Sequence, residues 1–167
     1  MGRHQAADAY HQLVAHIDSL AGDVLVVIVG PASRTWYKDI AQIRTMLSDL
    51  QDLRPISVVH GGKFPFDMYV EQFCKELHIP CFLSGPESRD VRLSQKYERD
   101  NDLAYGASLV VAFPAEEPSD EEGPRARAKH YPPESADLGV IRSARELGVP
   151  IFSIYRDGWA LWESYEE

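Results

Sequence analysis

Val58-Val59-His60-Gly61-Gly62-Lys63-Phe64-Pro65-Phe66-Asp67 decides the fold of this chain. An apolar, β-branched run ends in two adjacent glycines and a lysine, and a helical pattern starts near Asp67. Two glycines let a backbone turn sharply and approach a ligand closely. A helix N-terminus beyond them offers free N–H groups and the positive end of the helix dipole. A strand–Gly-Gly–helix junction is where an α/β protein holds a phosphate or a nucleotide.

The same alternation extends outward in both directions. Ala6 to Leu20 carries Leu13, Val14, Ile17 and Leu20 on one helical face. Val24 to Val29 is continuously apolar, which suits a strand covered on both faces. Tyr37 to Leu53 places Ile40, Ile43, Leu47 and Leu50 at helical spacing before Pro55 ends the pattern. After the strand Ile56–His60, a helix carries Met68, Val70, Phe73, Cys74 and Leu77. Pro80–Leu83 is a short third strand and Ser94–Ala104 a polar helix. Leu109–Phe113 is a fourth strand, Ser135–Leu147 a helix capped by Gly148, and Pro150–Tyr155 a fifth strand. Trp159, Leu161, Trp162 and Tyr165 mark a short amphipathic tail.

This pattern predicts an α/β, Rossmann-like three-layer sandwich around a five-stranded parallel sheet of order 3-2-1-4-5. An N-terminal helix (1–22) packs on the core domain (23–155), and a tail (156–167) follows. Ligands of such folds bind beyond the C-terminal strand ends, where the strand order reverses. The loops after Val29, His60 and Phe113 reach that crevice. Residues 114–134 leave a strand on this side. They combine the acidic run Glu116–Glu122 with Arg125, Arg127, Lys129 and His130. The segment reads as a flexible solvated loop or as a lid whose basic half closes on an anion.

Composition narrows the classes. The 167 residues carry a net charge of −9, which argues against non-specific binding to nucleic acid or to anionic membrane. No apolar run reaches the ~18 residues of a membrane span, and no signal-peptide pattern opens the chain, so a cytoplasmic location is expected. Cys74 and Cys81 read as two reduced thiols or, alternatively, as one disulfide. The six histidines show no metal-ligand spacing, and neither a metal nor a cofactor is expected. Walker, G-x-S-x-G and G-x-G-x-x-G patterns do not occur.

Candidate ligand-binding residues cluster at the predicted strand ends. Gly30 ends the first strand without a side chain. Ser33 and Thr35 offer hydroxyls, Arg34 a guanidinium fork for a phosphate or carboxylate, and Trp36 a ring for stacking or for packing. Gly61 and Gly62 expose backbone N–H groups, and Lys63 adds a point charge. Asp67 either caps its helix or meets a ribose. Glu71, one turn later on the same face, makes a carboxylate pair with it. Such a pair can serve N-glycosidic cleavage, which needs an ionised carboxylate near the anomeric carbon. Arg99 and Asn101 precede the fourth strand, and Asp137 opens the last helix.

Ser33-Arg34-Thr35-Trp36, His60-Gly61-Gly62 with Asp67, Arg99 and Asn101, Val110-Val111-Ala112-Phe113 and the stretch Ile141–Pro150 together resemble the YspA-type proteins of the SLOG superfamily. Lonely Guy phosphoribohydrolases and the DNA-processing SMF proteins belong to the same superfamily. The resemblance runs from about Val24 to Ile154. It implies a Rossmann-like domain that binds a nucleotide or a nucleotide-derived molecule, with some relatives cleaving N-glycosidic bonds and others acting as sensors. It also allows a homodimer. The chain departs from the family pattern at Phe64-Pro65-Phe66, where small residues are usual, at Asp100 between Arg99 and Asn101, and at Ala136-Asp137 in place of Gly-Thr. Three readings stand: a nucleotide-binding sensor or sequestering module, a nucleotide or nucleoside N-glycosidase with Asp67 or Glu71 as its carboxylate, and a partner-binding domain without a ligand.

Overall fold

A computed structural model describes residues 6–31, 34–61, 65–83, 106–114, 136–155 and 160–164, without the side chains of 6, 7 and 136–139. The predicted helix 94–104, the loop beyond Pro114, Ser33, Gly62, Lys63, Arg99, Asn101 and the side chain of Asp137 lie outside the described residues. The described elements run α1 (Ala6–Ser19), β1 (Val24–Val29), α2 (Tyr37–Leu53), β2 (Ile56–His60), α3 (Phe66–Glu76), β3 (Cys81–Leu83), β4 (Leu109–Ala112), α4 (Ala136–Leu147), β5 (Ile151–Ile154) and β6 (Ala160–Glu163).

The strands form one sheet of order β3-β2-β1-β4-β5-β6. The first five are parallel, and their order is the expected 3-2-1-4-5. Register runs Val26 to Val58 on one side of β1 and Val26 to Leu109 on the other. Ser108 pins this register: its N–H donates to Leu25 O (2.8 Å), and its Oγ accepts from Leu25 N (3.1 Å).

The sixth strand corrects the expectation of a five-stranded, all-parallel sheet with a docked tail. β6 pairs antiparallel with β5, Phe152 opposite Trp162. All four of its residues are buried. Trp162 faces α1, its ring 5.4 Å from that of His16, while Arg145 of α4 grips Glu163 with two bonds of 2.9 and 3.0 Å. A residue buried on each face leaves no polar side to alternate, so the segment does not show strand periodicity. The sequence carries one other signal for it: Asp157-Gly158 between two apolar runs, a hairpin dipeptide.

Alternation along the strands divides the core into two layers. Val24, Val26 and Ile28 face α1, α2 and α3 together with Val58, Leu109 and Val111. Val27, Val29, Val110 and Ala112 face α4 through Val140, Ile141 and Ala144. β1 is covered on both faces, as its unbroken apolar run requires. Helix ends are tied to neighbouring elements. Arg54 donates to Ile17, Leu20 and Gly22 carbonyls at the end of α1, and Gln51 Nε2 donates to Leu77 O just beyond α3. The last turns of α3 and α4 close alike: Ile79 N donates to Cys74 O and Val149 N to Ala144 O. Gly148 takes the left-handed conformation in one (φ 75°), and His78 takes it in the other (φ 57°). On α3 the buried stripe is Phe66, Val70, Phe73 and Cys74, whereas Met68 is exposed.

Candidate functional site at the carboxyl edge of the sheet

Because β1 to β5 are parallel, their carboxyl ends share one edge. β1 sits where the chain's winding reverses, with β2 on one side and β4 on the other. The segments leaving β1, β2 and β4 therefore meet at this edge.

Next to β1 the edge is filled by the chain itself. A Cβ built on Gly30 would overlap the ring of Phe66. Gly30 is therefore a glycine because α3's first residue lies against its backbone. Phe66 is fully buried, and its ring centroid is 5.5 Å from that of Phe113 at the end of β4. The bulk of Phe66, a departure from the resembled pattern, is core.

Arg34 is also interior. It has no exposed surface, and its guanidinium stands 5.6 Å from the centroid of the Phe113 ring. Nε donates to Asp39 Oδ1 at 2.7 Å. Nη1 donates to Pro114 O at 2.7 Å and to Ile154 O at 3.0 Å, and Nη2 to Gln42 Oε1 at 2.6 Å. Asp39 Oδ2 accepts from the Trp36 N–H at 3.1 Å at the start of α2, and Gln42 Nε2 donates to Tyr155 O at 3.3 Å. The fork expected to meet a ligand instead ties the ends of β4 and β5 to the first turns of α2. Burial explains the choice: Arg34 and Asp39 lie together out of water, where each needs the other and each must fill its hydrogen-bonding capacity. Thr35 is half-buried beside this staple, and Trp36 stands 70% exposed with Tyr37 next to it.

The described polar cluster lies one strand further out. His60, at the carboxyl end of β2, is buried beneath α3. Its Nε2 is 2.9 Å from Glu71 Oε1, and its Nδ1 is 3.8 Å from Asp67 Oδ2. The two candidate carboxylates therefore share one imidazole but differ in access. Asp67 is buried, whereas Glu71 is 57% exposed. Burial is the largest influence on His60 and pulls its pKa down, but bonding to Asp67 and Cys81, with their negative charges, outweighs it and raises the imidazole to about 10.

Sequence reasoning passed over His60, Cys74 and Cys81 as site residues. The signal for them was spacing. Asp67, Glu71 and Cys74 recur on one face of α3, and that face lies over the side of β2 and β3 that carries His60 and Cys81. Gly61, partly exposed, follows His60 directly. Among the described residues no group of three or more His, Cys, Asp and Glu side chains is arranged to hold a metal ion, and no helix is long and apolar enough to cross a membrane.

No family model matches the chain, and no curated protein matches it. One similar solved structure is the C-terminal domain of a hydrogenase from Pyrococcus furiosus. It is 14% identical and aligns over 78% of this chain and 90% of that one, with a TM-score of 0.41. A likeness at that level says nothing of what this chain binds.

The class defined by fold and edge is a Rossmann-like α/β domain with one mixed, mostly parallel sheet. It presents an exposed carboxylate held by a buried imidazole on α3 and β2, and an exposed tryptophan and tyrosine at the start of α2.

Proposed function

We propose that the protein binds a nucleotide or a nucleotide-derived small molecule at the carboxyl edge of its sheet, as a sensor or sequestering module of SLOG type. The observation that carries this is the reversal of strand order at β1, which directs the β1, β2 and β4 loops to one edge. Two features beside it suit such a ligand. Glu71 is a fixed acceptor for paired ribose hydroxyls, its carboxylate oriented 2.9 Å from His60. Trp36 and Tyr37 offer uncovered rings against which a base can stack. Gly61, partly exposed directly after β2, supplies backbone polarity at the same edge. Phosphate neutralisation then falls to groups other than Arg34, whose bonds to Asp39, Gln42, Pro114 and Ile154 lie inside the fold. A cytoplasmic location and a homodimer belong to the same proposal.

A second reading is favoured by one observation, the orientation of Glu71 by His60. A carboxylate held in place and open to solvent can act at an anomeric carbon as nucleophile or base, which is the chemistry of a nucleotide N-glycosidase. In that reaction Glu71 is the catalytic residue. Asp67 is a positioning residue, acting through His60.

The test is a thermal-shift screen of the full chain against mononucleotides, cyclic dinucleotides and ADP-ribose, with mass spectrometry of the recovered ligand. Binding at about 100 times Kd stabilises by about 2.7 kcal/mol. At roughly 2–4 °C per kcal/mol for a chain of this size, that shift is easily read. An intact ligand supports binding alone. A released base that disappears in Glu71→Gln supports hydrolysis. No shift with any of them at millimolar concentration removes both readings.

A further inference from the structure

Two thiols lie in the layer between α3 and the β2–β3 pair, on the face of the sheet that carries His60. Cys74 lies in the last turns of α3 and is fully buried, while Cys81 begins β3 and is partly open to solvent. The turn between them is tightly closed. Ile79 N donates to Cys74 O at 2.8 Å, His78 takes the left-handed conformation, and Pro80 O accepts from Val58 N at 2.8 Å as β3 joins the sheet. Register then sets Cys81 beside Val58, on the face of β2 that also carries His60. Cys74 belongs to the buried cluster that α3 lays over this face, and Cys81 packs against that same cluster. His60 in turn is flanked by Asp67 and Glu71. These residues share one layer under α3: an acidic pair, an imidazole, a partly accessible sulfur and a buried one.

We propose that Cys81 is a peroxide-reactive nucleophile, that His60 holds it as thiolate and donates the proton to the leaving oxygen, and that Cys74 resolves the oxidised product into a Cys74–Cys81 disulfide. The substrate class is a small hydroperoxide. The Cys81 thiolate attacks one peroxide oxygen, an S–O bond forms, the O–O bond breaks, and the departing alkoxide or hydroxide takes the His60 proton. Cys81 is then a sulfenic acid. The Cys74 sulfur attacks it, forming S–S and breaking S–O, and the Cys74 proton leaves with the hydroxyl as water. The two thiols lose two electrons and the peroxide gains them, giving an alcohol or water plus water.

The local electrostatics agree with these roles. The hydrogen bond from Cys74 lowers the Cys81 pKa most, burial works against it, and His60 adds a further lowering, so Cys81 falls below the usual thiol range. Cys74 goes the opposite way, first because it hydrogen-bonds to Cys81 and then because it is buried. One negative charge is carried mainly by the accessible sulfur, and the buried one keeps its proton until it is needed. Among the described residues, Asp67, Glu71 and Cys74 on α3 are titrating groups that act on Cys81 or His60.

The full chain, reduced, is treated at pH 7 with one equivalent of hydrogen peroxide or tert-butyl hydroperoxide, quenched with iodoacetamide and mapped by mass spectrometry. The expected product is an intramolecular Cys74–Cys81 disulfide, two hydrogens lighter, refractory to alkylation and restored by dithiothreitol. Cys74→Ser is expected to stop at a Cys81 sulfenic acid trapped by dimedone, and Cys81→Ser to leave Cys74 unreacted. The wild-type pH profile of Cys81 alkylation needs no variant. Its inflection is expected below pH 7, so that most of the protein is thiolate at neutrality instead of a few per cent. His60→Gln is expected to move that inflection upward. Oxidation no faster than that of free cysteine, a disulfide formed only between molecules, or an inflection near the ordinary thiol value of about 8.5 would each overturn the proposal.

Discussion

Replacing Arg34 with Met removes the cation of a pair that has no contact with water. Arg34 and Asp39 are both fully buried and meet at 2.7 Å. The substitution leaves the Asp39 carboxylate without its charge partner and takes a donor from Gln42, Pro114 O and Ile154 O. Breaking a buried pair from one side costs about 3–5 kcal/mol, because the remaining charge stays desolvated. For a chain of this length that lowers the Tm by roughly 6–20 °C. Arg34→Lys keeps the charge but not the fork. One ammonium cannot reach four acceptors spread over α2, β4 and β5, and losing two bonds at about 1 kcal/mol each costs about 2 kcal/mol. Asp39→Asn also destabilises, since Asp39 accepts from both Arg34 and the Trp36 N–H. The double variant Arg34→Met/Asp39→Asn should then cost at least 1 kcal/mol less than the two singles added together. Urea denaturation of the four proteins closes the cycle. A loss under 1 kcal/mol for Arg34→Met, or single effects that simply add, would refute an interior staple and return Arg34 to the ligand edge.

Gly30→Ala drives a methyl into the Phe66 ring, so it is expected to destabilise by about 1–3 kcal/mol by overpacking, with partial rescue by Phe66→Leu. Equal stability of the two single variants and the double variant, by thermal melting, would speak against that contact. Trp162→Ala removes the ring that β6 packs beside His16 and is expected to cost about 3–5 kcal/mol, read by urea unfolding. A surface-like loss under 0.5 kcal/mol would mean that β6 is not part of the core. Stability should also depend on pH through the thiol–imidazole cluster. His60, raised to about 10, contributes stability that is complete below its unfolded value of about 6.5 and is lost as pH climbs through 10. Cys74, raised, likewise contributes less above about 8.5, while Cys81, lowered, contributes more as pH rises toward 8.5. These contributions offset one another near neutrality, and the net expectation is a fall in the urea midpoint between pH 8.5 and 10 that His60→Gln flattens. A midpoint that holds or rises over that interval contradicts the assigned shifts.

Local pattern was enough for the skeleton of the protein. The β-branched run Val24–Val29 could only be a strand covered on both faces, because six consecutive apolar residues leave no polar side for water. The helical stripe of α2 and the strand order 3-2-1-4-5 followed from periodicity and from alternating elements. The carboxyl edge as the place for a site came from the same rule. Which side chains occupy that edge did not. Gly30 and Arg34 have residue types that serve a ligand or a core equally well, and the choice rests on Phe66, Phe113, Pro114 and Ile154, which come from elsewhere in the chain. β6 depends on β5 offering an open edge, and no local propensity encodes that. His60, Glu71, Cys74 and Cys81 are scattered over β2, α3 and β3, and they become chemistry only when register and helix packing bring them together. Sequence alone determined the elements and their winding, since these follow from short-range periodicity. Tertiary structure decided the roles of the polar residues, since burial and pairing are properties of neighbours distant along the chain.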